Sequence, residues 1–306
     1  MSVPPHWLWI PITLWAAFAQ TLRNAAQRHL TSALGTLGAT LVRFFYGLPF
    51  ALAWLYAVHQ VAGLSLPRPN AAFAGWVLLG SVSQIAATAL LLKVMTERNF
   101  ALGVAYSKSE ILQVAVFGLL FLGDPISALT ALAVGFGTAG VLLLSPADPQ
   151  RPWRALLLGW TSRTAALGLG CGTALAFSVI GFRGAALALE GAQFVMAAAY
   201  TLVVAQFAQS VLLGGWLQLR RPQVMAGVLR AWRPSLFAGF MGAAASAAWF
   251  TAMAIEPAAH VRTLGLVELI FSYAISQRVF RERLTRREAG GLLLLSLGVI
   301  LVTLQR

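Results

Sequence analysis

Ten apolar runs, each about 20 residues long, dominate this chain and leave it few ways to fold. They lie near 8–28, 35–58, 71–94, 99–121, 127–145, 165–187, 192–213, 235–256, 259–279 and 287–304. A helix of that length crosses the hydrocarbon core of a bilayer. Charged residues make up only 10% of the 306 and hydrophobic residues 59%, where a soluble domain carries about 25% charged residues. A chain so composed cannot clothe a water-facing surface. It reads as an all-α integral membrane protein. Most connections are short, as in Pro67-Arg68-Pro69-Asn70, so runs adjacent in sequence are expected side by side as antiparallel pairs. Residues 146–164, with Pro146, Asp148, Pro149, Arg151 and Pro152, form a longer linker that divides the runs five and five. The segment 214–234 carries Arg220, Arg221, Arg230 and Arg233 and is expected to include a short amphipathic helix on the membrane surface.

The two halves, 1–145 and 165–306, resemble each other. Glu110 and Glu268 stand 158 residues apart, each in an apolar run, and the same offset brings Met95 onto Met253 and Gly140 onto Gly298. It also brings Gly123-Asp124-Pro125-Ile126-Ser127 onto Arg281-Glu282-Arg283-Leu284-Thr285. Near the start of each half, Arg23-Asn24-Ala25-Ala26 is echoed by Arg183-Gly184-Ala185-Ala186. Five spans is an odd number, so copies joined in one chain enter the membrane from opposite sides. The expected architecture is therefore ten transmembrane helices as two inverted five-helix repeats. Such repeats place a binding site between them near the midplane and alternate access by rocking.

The net charge of +13 is distributed by topology. Arg28, Arg98, Arg151, Arg154, Arg220, Arg221, Arg230, Arg233, Arg281, Arg283, Arg286 and Arg287 follow the odd-numbered runs, whereas the opposite side holds Arg68, Arg306 and Arg262. Lys and Arg bias sets orientation. The odd connections are expected to be cytoplasmic, against anionic lipid of the cell (inner) membrane, with both termini outside. Between apolar runs this charge is no nucleic-acid footprint, so the partners expected are the bilayer, a small-molecule substrate and a coupling proton or other ion. Met1 to Trp9 carries no basic n-region of a secretory signal.

Polar groups deep in apolar runs mark the candidate site. A charge at bilayer depth costs at least about 2.5 kcal/mol, so such residues face a cavity or a partner. Glu110 and Glu268 head the candidates. At 3.6 residues per turn, Gly103, Tyr106, Glu110, Gln113 and Phe117 make one stripe, and Gly265, Glu268 and Ser272 make another. Lys108, two residues from Glu110, points to another wall or to an acid on a neighbouring helix. Arg43 is either a counter-ion between helices or a substrate contact. Gln84 and Trp249 complete the set, as an interhelical bond and cavity lining or as core. Glu268 sits among Leu266, Val267, Leu269 and Ile270 with only Ser272 nearby, which makes it the better candidate for coupling. The Ala-rich run 242–248 is a packing feature, since small side chains let membrane helices approach closely.

These features resemble the drug/metabolite transporter superfamily, EamA-like branch. The resemblance rests on the five-plus-five layout and on the acidic loop before a Gly-rich last helix in each half. In that family the loop commonly reads Gly-Glu-x-x-Ser/Thr, and here it precedes Gly135, Gly137 and Gly140 in one half and Gly290, Gly291 and Gly298 in the other. The resemblance implies secondary-active movement of small metabolites, often export. Members often carry a proline in the fourth and ninth helices, where this chain has Ser-Lys-Ser-Glu and Leu-Val-Glu. Zinc-protease, nucleophile-elbow and Walker motifs do not occur. His6, His29, His59 and His260 are scattered and Cys171 is single, so neither a metal site, a cofactor nor a catalytic set is expected. A non-transporting accessory or lipid-handling subunit is the alternative, and an intramembrane enzyme lacks its nucleophile.

Overall fold

The computed structural model describes residues 7–98, 100–110, 112–113, 128–144, 162–255, 261 and 264–303. Among them every regular element is helical: α1 Trp9–Phe45, α2 Leu48–Ala62, α3 Ala71–Glu97, α4 Phe100–Ser107, α5 Ala128–Leu144, α6 Arg163–Ala188, α7 Phe194–Arg220, α8 Pro222–Arg230, α9 Trp232–Ile255, α10 Val267–Arg278 and α11 Arg286–Thr303. Among the described residues, four helical stretches are long and apolar enough to cross a membrane, Trp9–Ala62, Ala71–Glu97, Arg163–Ala188 and Val195–Arg220.

The first of these is not one rod. Gly35 leaves helical geometry at φ 66° and ψ 174°, a conformation glycine reaches without the Cβ penalty. Across it, Gln27 Nε2 donates to Ala39 O at 2.9 Å. Twelve residues of unbroken helix would rise about 18 Å, so α1 doubles back at Gly35. Its second arm continues, through a turn at Tyr46-Gly47, into α2.

Two compact units divide the chain, Met1–Ala89 with Phe177–Glu268, and Leu90–Ala176 with Leu269–Arg306. Each draws on both halves of the sequence. In the first unit α1 packs along α9 and against α7 and α8, while α2 packs on α7 and α9. Phe73, Val77, Ala185, Leu189, Ala197 and Ala205 form a buried cluster there. The Ala-rich stretch of α9 buries Ala243 and Ala245, and Ala245 packs with Ala19 of α1. Helix α7 runs through Gly214-Gly215 to Arg220 rather than ending near 213, because α1 covers this face: a Cβ on Gly214 would meet Leu41 in ordinary contact. Pro222 then opens α8, where its missing N–H and fixed φ suit the first turn. Val228 of α8 is buried, whereas Arg221 and Arg230 are exposed, so the helix is amphipathic.

In the second unit α5 packs on α11. A Cβ on Gly140 would stand 2.6 Å from Leu295 N and 2.8 Å from Gly291 O, and one on Gly298 would stand 2.7 Å from Ala133 O and 2.8 Å from Gly137 N. Numbers rise along one helix as they fall along the other, so the pair is antiparallel. Shifting Gly140, Ala133 and Gly137 by 158 gives Gly298, Gly291 and Leu295. The two sets of contacts therefore exchange under the sequence offset.

The acidic loop before α11 is a set of caps. Thr285 Oγ1 accepts from Glu288 N at 3.2 Å while Glu288 Oε2 accepts from Thr285 N at 2.8 Å, a reciprocal capping box. Arg98 adds a 3.2 Å ion pair to Glu288. Glu282 Oε2 accepts from Phe100 N at 2.9 Å, tying this loop to the first turn of α4, and from Ser276 Oγ at 2.6 Å. The matching segment 123–127 lies outside the described residues. Thr285→Ala is expected to cost about 1 kcal/mol, read as a lower thermal midpoint of the purified protein. An unchanged midpoint would show that Arg98 and Glu282 hold this end without the box.

Candidate substrate and coupling site

Both candidate acids follow a break in their helices. Helix α4 closes at Ser107, and Lys108 stands in a turn with its N–H bonded to Ala105 O at 3.0 Å before helical geometry resumes at Ser109. The second break falls at Gly265-Leu266, where Gly265 N bonds Val261 O at 2.8 Å and Glu268 N bonds Gly265 O at 3.1 Å. Lys108 and Leu266 are related by the offset of 158. Each glutamate thus comes two residues after an equivalent break. Glu268 lies in the first turn of α10, not in the middle of a continuous 259–279 helix, and Trp249 packs on the break: a Cβ on Gly265 would lie 2.5 Å from its ring. A first turn has free N–H groups and the positive end of the helix dipole, which favour a carboxylate.

Glu268 is 1% exposed, and residues of α1 and α9 reach it. Gln20 Nε2 donates to Glu268 Oε2 at 2.7 Å, and Trp249 Nε1 donates to Gln20 Oε1 at 3.2 Å. Asn24 Nδ2 donates to Glu268 Oε1 at 3.5 Å, the outer limit of a hydrogen bond. Arg23, also buried, donates through Nε and Nη2 to Asn24 Oδ1 at 3.2 and 2.8 Å. A relay therefore runs from indole and guanidinium to one carboxylate. Gln20, Arg23, Asn24 and Gln27 recur three and four residues apart along α1, and that spacing is the signal for this face.

Arg43 lies close by. A Cβ on Gly242 would meet Arg23 Cδ at 3.2 Å and Arg43 Cγ at 3.6 Å, so both arginines pass the same point of α9. Arg43 Nη1 donates to Thr88 Oγ1 at 3.2 Å. Among the described residues no carboxylate pairs with Arg43. Gln84 Oε1 accepts from Gln209 Nε2 at 2.8 Å, joining α3 to α7.

The remaining candidates belong to the second unit. Tyr106 is fully buried, with its ring 2.4 Å from where a Cβ on Gly168 would lie. Gln113 donates to Leu169 O at 3.1 Å and accepts from the Thr173 hydroxyl. Gly172 of α6 faces Ser109, Gln113 and the Glu110 backbone. Lys108 and Glu110 are half-buried. The eight residues thus divide, with Glu268, Trp249, Arg43 and Gln84 in the first unit and Tyr106, Lys108, Glu110 and Gln113 in the second. Phe117 lies outside the described residues.

No family model matches this chain, and no curated protein matches it. One solved structure, described as "Crystal structure of protein", is similar over 96% of this chain and 98% of its own, with a TM-score of 0.56 and 18% identity. At that identity the likeness is one of fold, extending over almost the whole length.

The chemistry rests on the residues themselves. Two guanidiniums, Arg23 and Arg43, stand with one carboxylate, Glu268, inside the first unit. Guanidinium keeps its charge in proteins and needs an acceptor. The amides of Gln20 and Asn24 are neutral donors to Glu268, and the Arg23 guanidinium reaches the carboxylate through Asn24.

Proposed function

We propose that this chain is a secondary-active transporter, by resemblance an EamA-like member of the drug/metabolite transporter superfamily, that exports a small polar or charged metabolite. The observation that carries this reading is the pair of broken helices, each with a glutamate two residues past the break. Discontinuous helices at matching positions of two repeats are where transporters bind substrates and coupling ions. The exchange of α5 and α11 contacts under the 158-residue offset supports a two-fold relation. In this reading α5 and α11 both span the membrane, their antiparallel crossing puts that axis in the membrane plane, and the repeats are inverted.

In this reading the chain crosses the cell (inner) membrane ten times. The two arms of α1, the second prolonged by α2, count as two spans, and the surface helix α8 counts as none. The basic connections are cytoplasmic, and Glu268 and Glu110 exchange protons or ligand groups as access alternates. The test is counterflow of labelled metabolites in proteoliposomes under an imposed proton gradient. Solute exchange above protein-free vesicles is expected, and its absence for every solute tried would favour an accessory subunit. Orientation is tested separately. A reporter active only in the cytoplasm, fused after Arg306, is expected to be silent, and strong signal would overturn the charge-based topology.

A further inference from the structure

We propose that the first unit contains an anion subsite built on Arg43, which takes a carboxylate bearing an N–H or O–H donor on the adjacent carbon. This deepens the transport reading and rests on it for a route into the site. Arg43, Gln84, Thr201, Gln206, Gln209 and Ser246 line one cavity of about 40 Å³. A cavity needs about 10–15 Å³ of such volume for one water, so this one is sized for a head group or a molecule little larger than one.

The lining sets Phe44, Phe182, Leu202 and Ala205 beside the polar groups a head group needs. Arg43 presents a permanent cation that donates to a neutral hydroxyl, Thr88. The guanidinium has five donors in a planar fork that fits a carboxylate. Thr201 Oγ1, Gln206 Oε1 and Gln209 Oε1 are buried without a hydrogen-bond partner among the described residues. Their residues are 3%, 4% and 0% exposed. Native interiors rarely leave buried polar atoms unpaired, since each costs desolvation without return. A ligand that gives negative charge to Arg43 and a donor to a lining amide oxygen supplies partners these groups lack among the described residues. Gln206 also lies over Gly47, where a Cβ would stand 3.1 Å from its Oε1. The subsite thus adjoins the turn at Tyr46-Gly47 that ends α1 four residues after Arg43.

The experiment compares glycolate and glycine with acetate, glycolamide and ethanolamine, by thermal shift and calorimetric titration on the purified full chain. Glycolate or glycine is expected to raise the melting temperature saturably, and acetate to bind more weakly. Glycolamide and ethanolamine are expected to have no effect. Arg43→Gln is expected to weaken binding by at least about ten-fold. Gln206→Glu, which seats a carboxylate beside the guanidinium, is expected to abolish it even if Arg43→Gln fails to fold. No response to glycolate or glycine, or equal response to glycolamide or ethanolamine, overturns the subsite. Binding that survives Gln206→Glu does the same. Saturable binding without counterflow of any solute would leave the subsite standing and fail the transport reading. Counterflow of a cationic or neutral solute without carboxylate binding would do the reverse.

Discussion

Glu268→Gln is expected to lower solute flux by about 100-fold while the protein still inserts and purifies. The substitution keeps shape and removes charge. As it stands, both carboxylate oxygens accept, one from Gln20 at 2.7 Å and one from Asn24 at 3.5 Å. A glutamine offers one acceptor and turns an NH₂ toward the other donor. Hydrogen bonds to charged groups contribute about 1.5–3 kcal/mol, and about 1.4 kcal/mol is ten-fold, which sets the expected size. Arg23 then loses the carboxylate it reaches through Asn24, so the whole relay from Trp249 and Arg23 ends on a neutral group. A coupling carboxylate also loses its titration, so the residual flux should no longer respond to pH. A purely structural strut predicts the opposite pattern, poor expression or a low melting temperature with flux retained per folded molecule. Flux equal to wild type from mildly acidic to mildly alkaline pH would falsify the coupling role. Glu110→Gln is expected to have the smaller effect, since Ser107, Lys108, Ser109 and Gln113 are polar neighbours in sequence.

Gly140→Leu and Gly298→Leu are each expected to destabilise the second unit enough to abolish recovery of folded protein. Even an alanine methyl at Gly140 meets backbone, 2.6 Å from Leu295 N, and at Gly298 it lies 2.7 Å from Ala133 O. Backbone cannot swing aside as a side chain can, so α5 and α11 must separate. Overpacking costs about 1–3 kcal/mol for small insertions and more for larger ones, and membrane helices rely on such close packing because lipid gives no hydrophobic drive. The alanine variants should therefore fold with lowered midpoints, to similar extents at the two sites because their contacts exchange under the offset. Denaturation in mixed detergent micelles measures this. A leucine variant at either site with an unchanged midpoint would rule out the close crossing.

The candidate site was legible in parts. Glu268 and Glu110 stand out in sequence because a carboxylate in an apolar run is costly, and Arg43 stands out for the same reason. Gln20 and Asn24 were less visible, since an uncharged amide in a helix costs little and its partner lies 248 and 244 residues away. The break at Gly265-Leu266 was hidden by continuous hydropathy, whereas the polar run Ser107-Lys108-Ser109-Glu110 marked a site and not a stop. The turn at Gly35 shows the converse: the apolar pattern separates two runs there, and the glycine's positive φ lets the chain reverse without a loop.

Sequence by itself determined the helical secondary structure and its membrane-grade apolar stretches, and it holds the 158-residue offset that brings Glu110 onto Glu268. Those follow from each residue's preference for lipid over water and from similarity at a fixed spacing, and neither depends on which helix lies beside which. Only the tertiary structure decided the partners: that Gln20 and Asn24 hold Glu268, that Arg43 lines a cavity with Gln84, and that Gln113 is tied to α6. Partner choice depends on which helix faces meet and at what depth. Small residues such as Gly140 and Gly298 set those approaches, where a single Cβ would move a backbone aside.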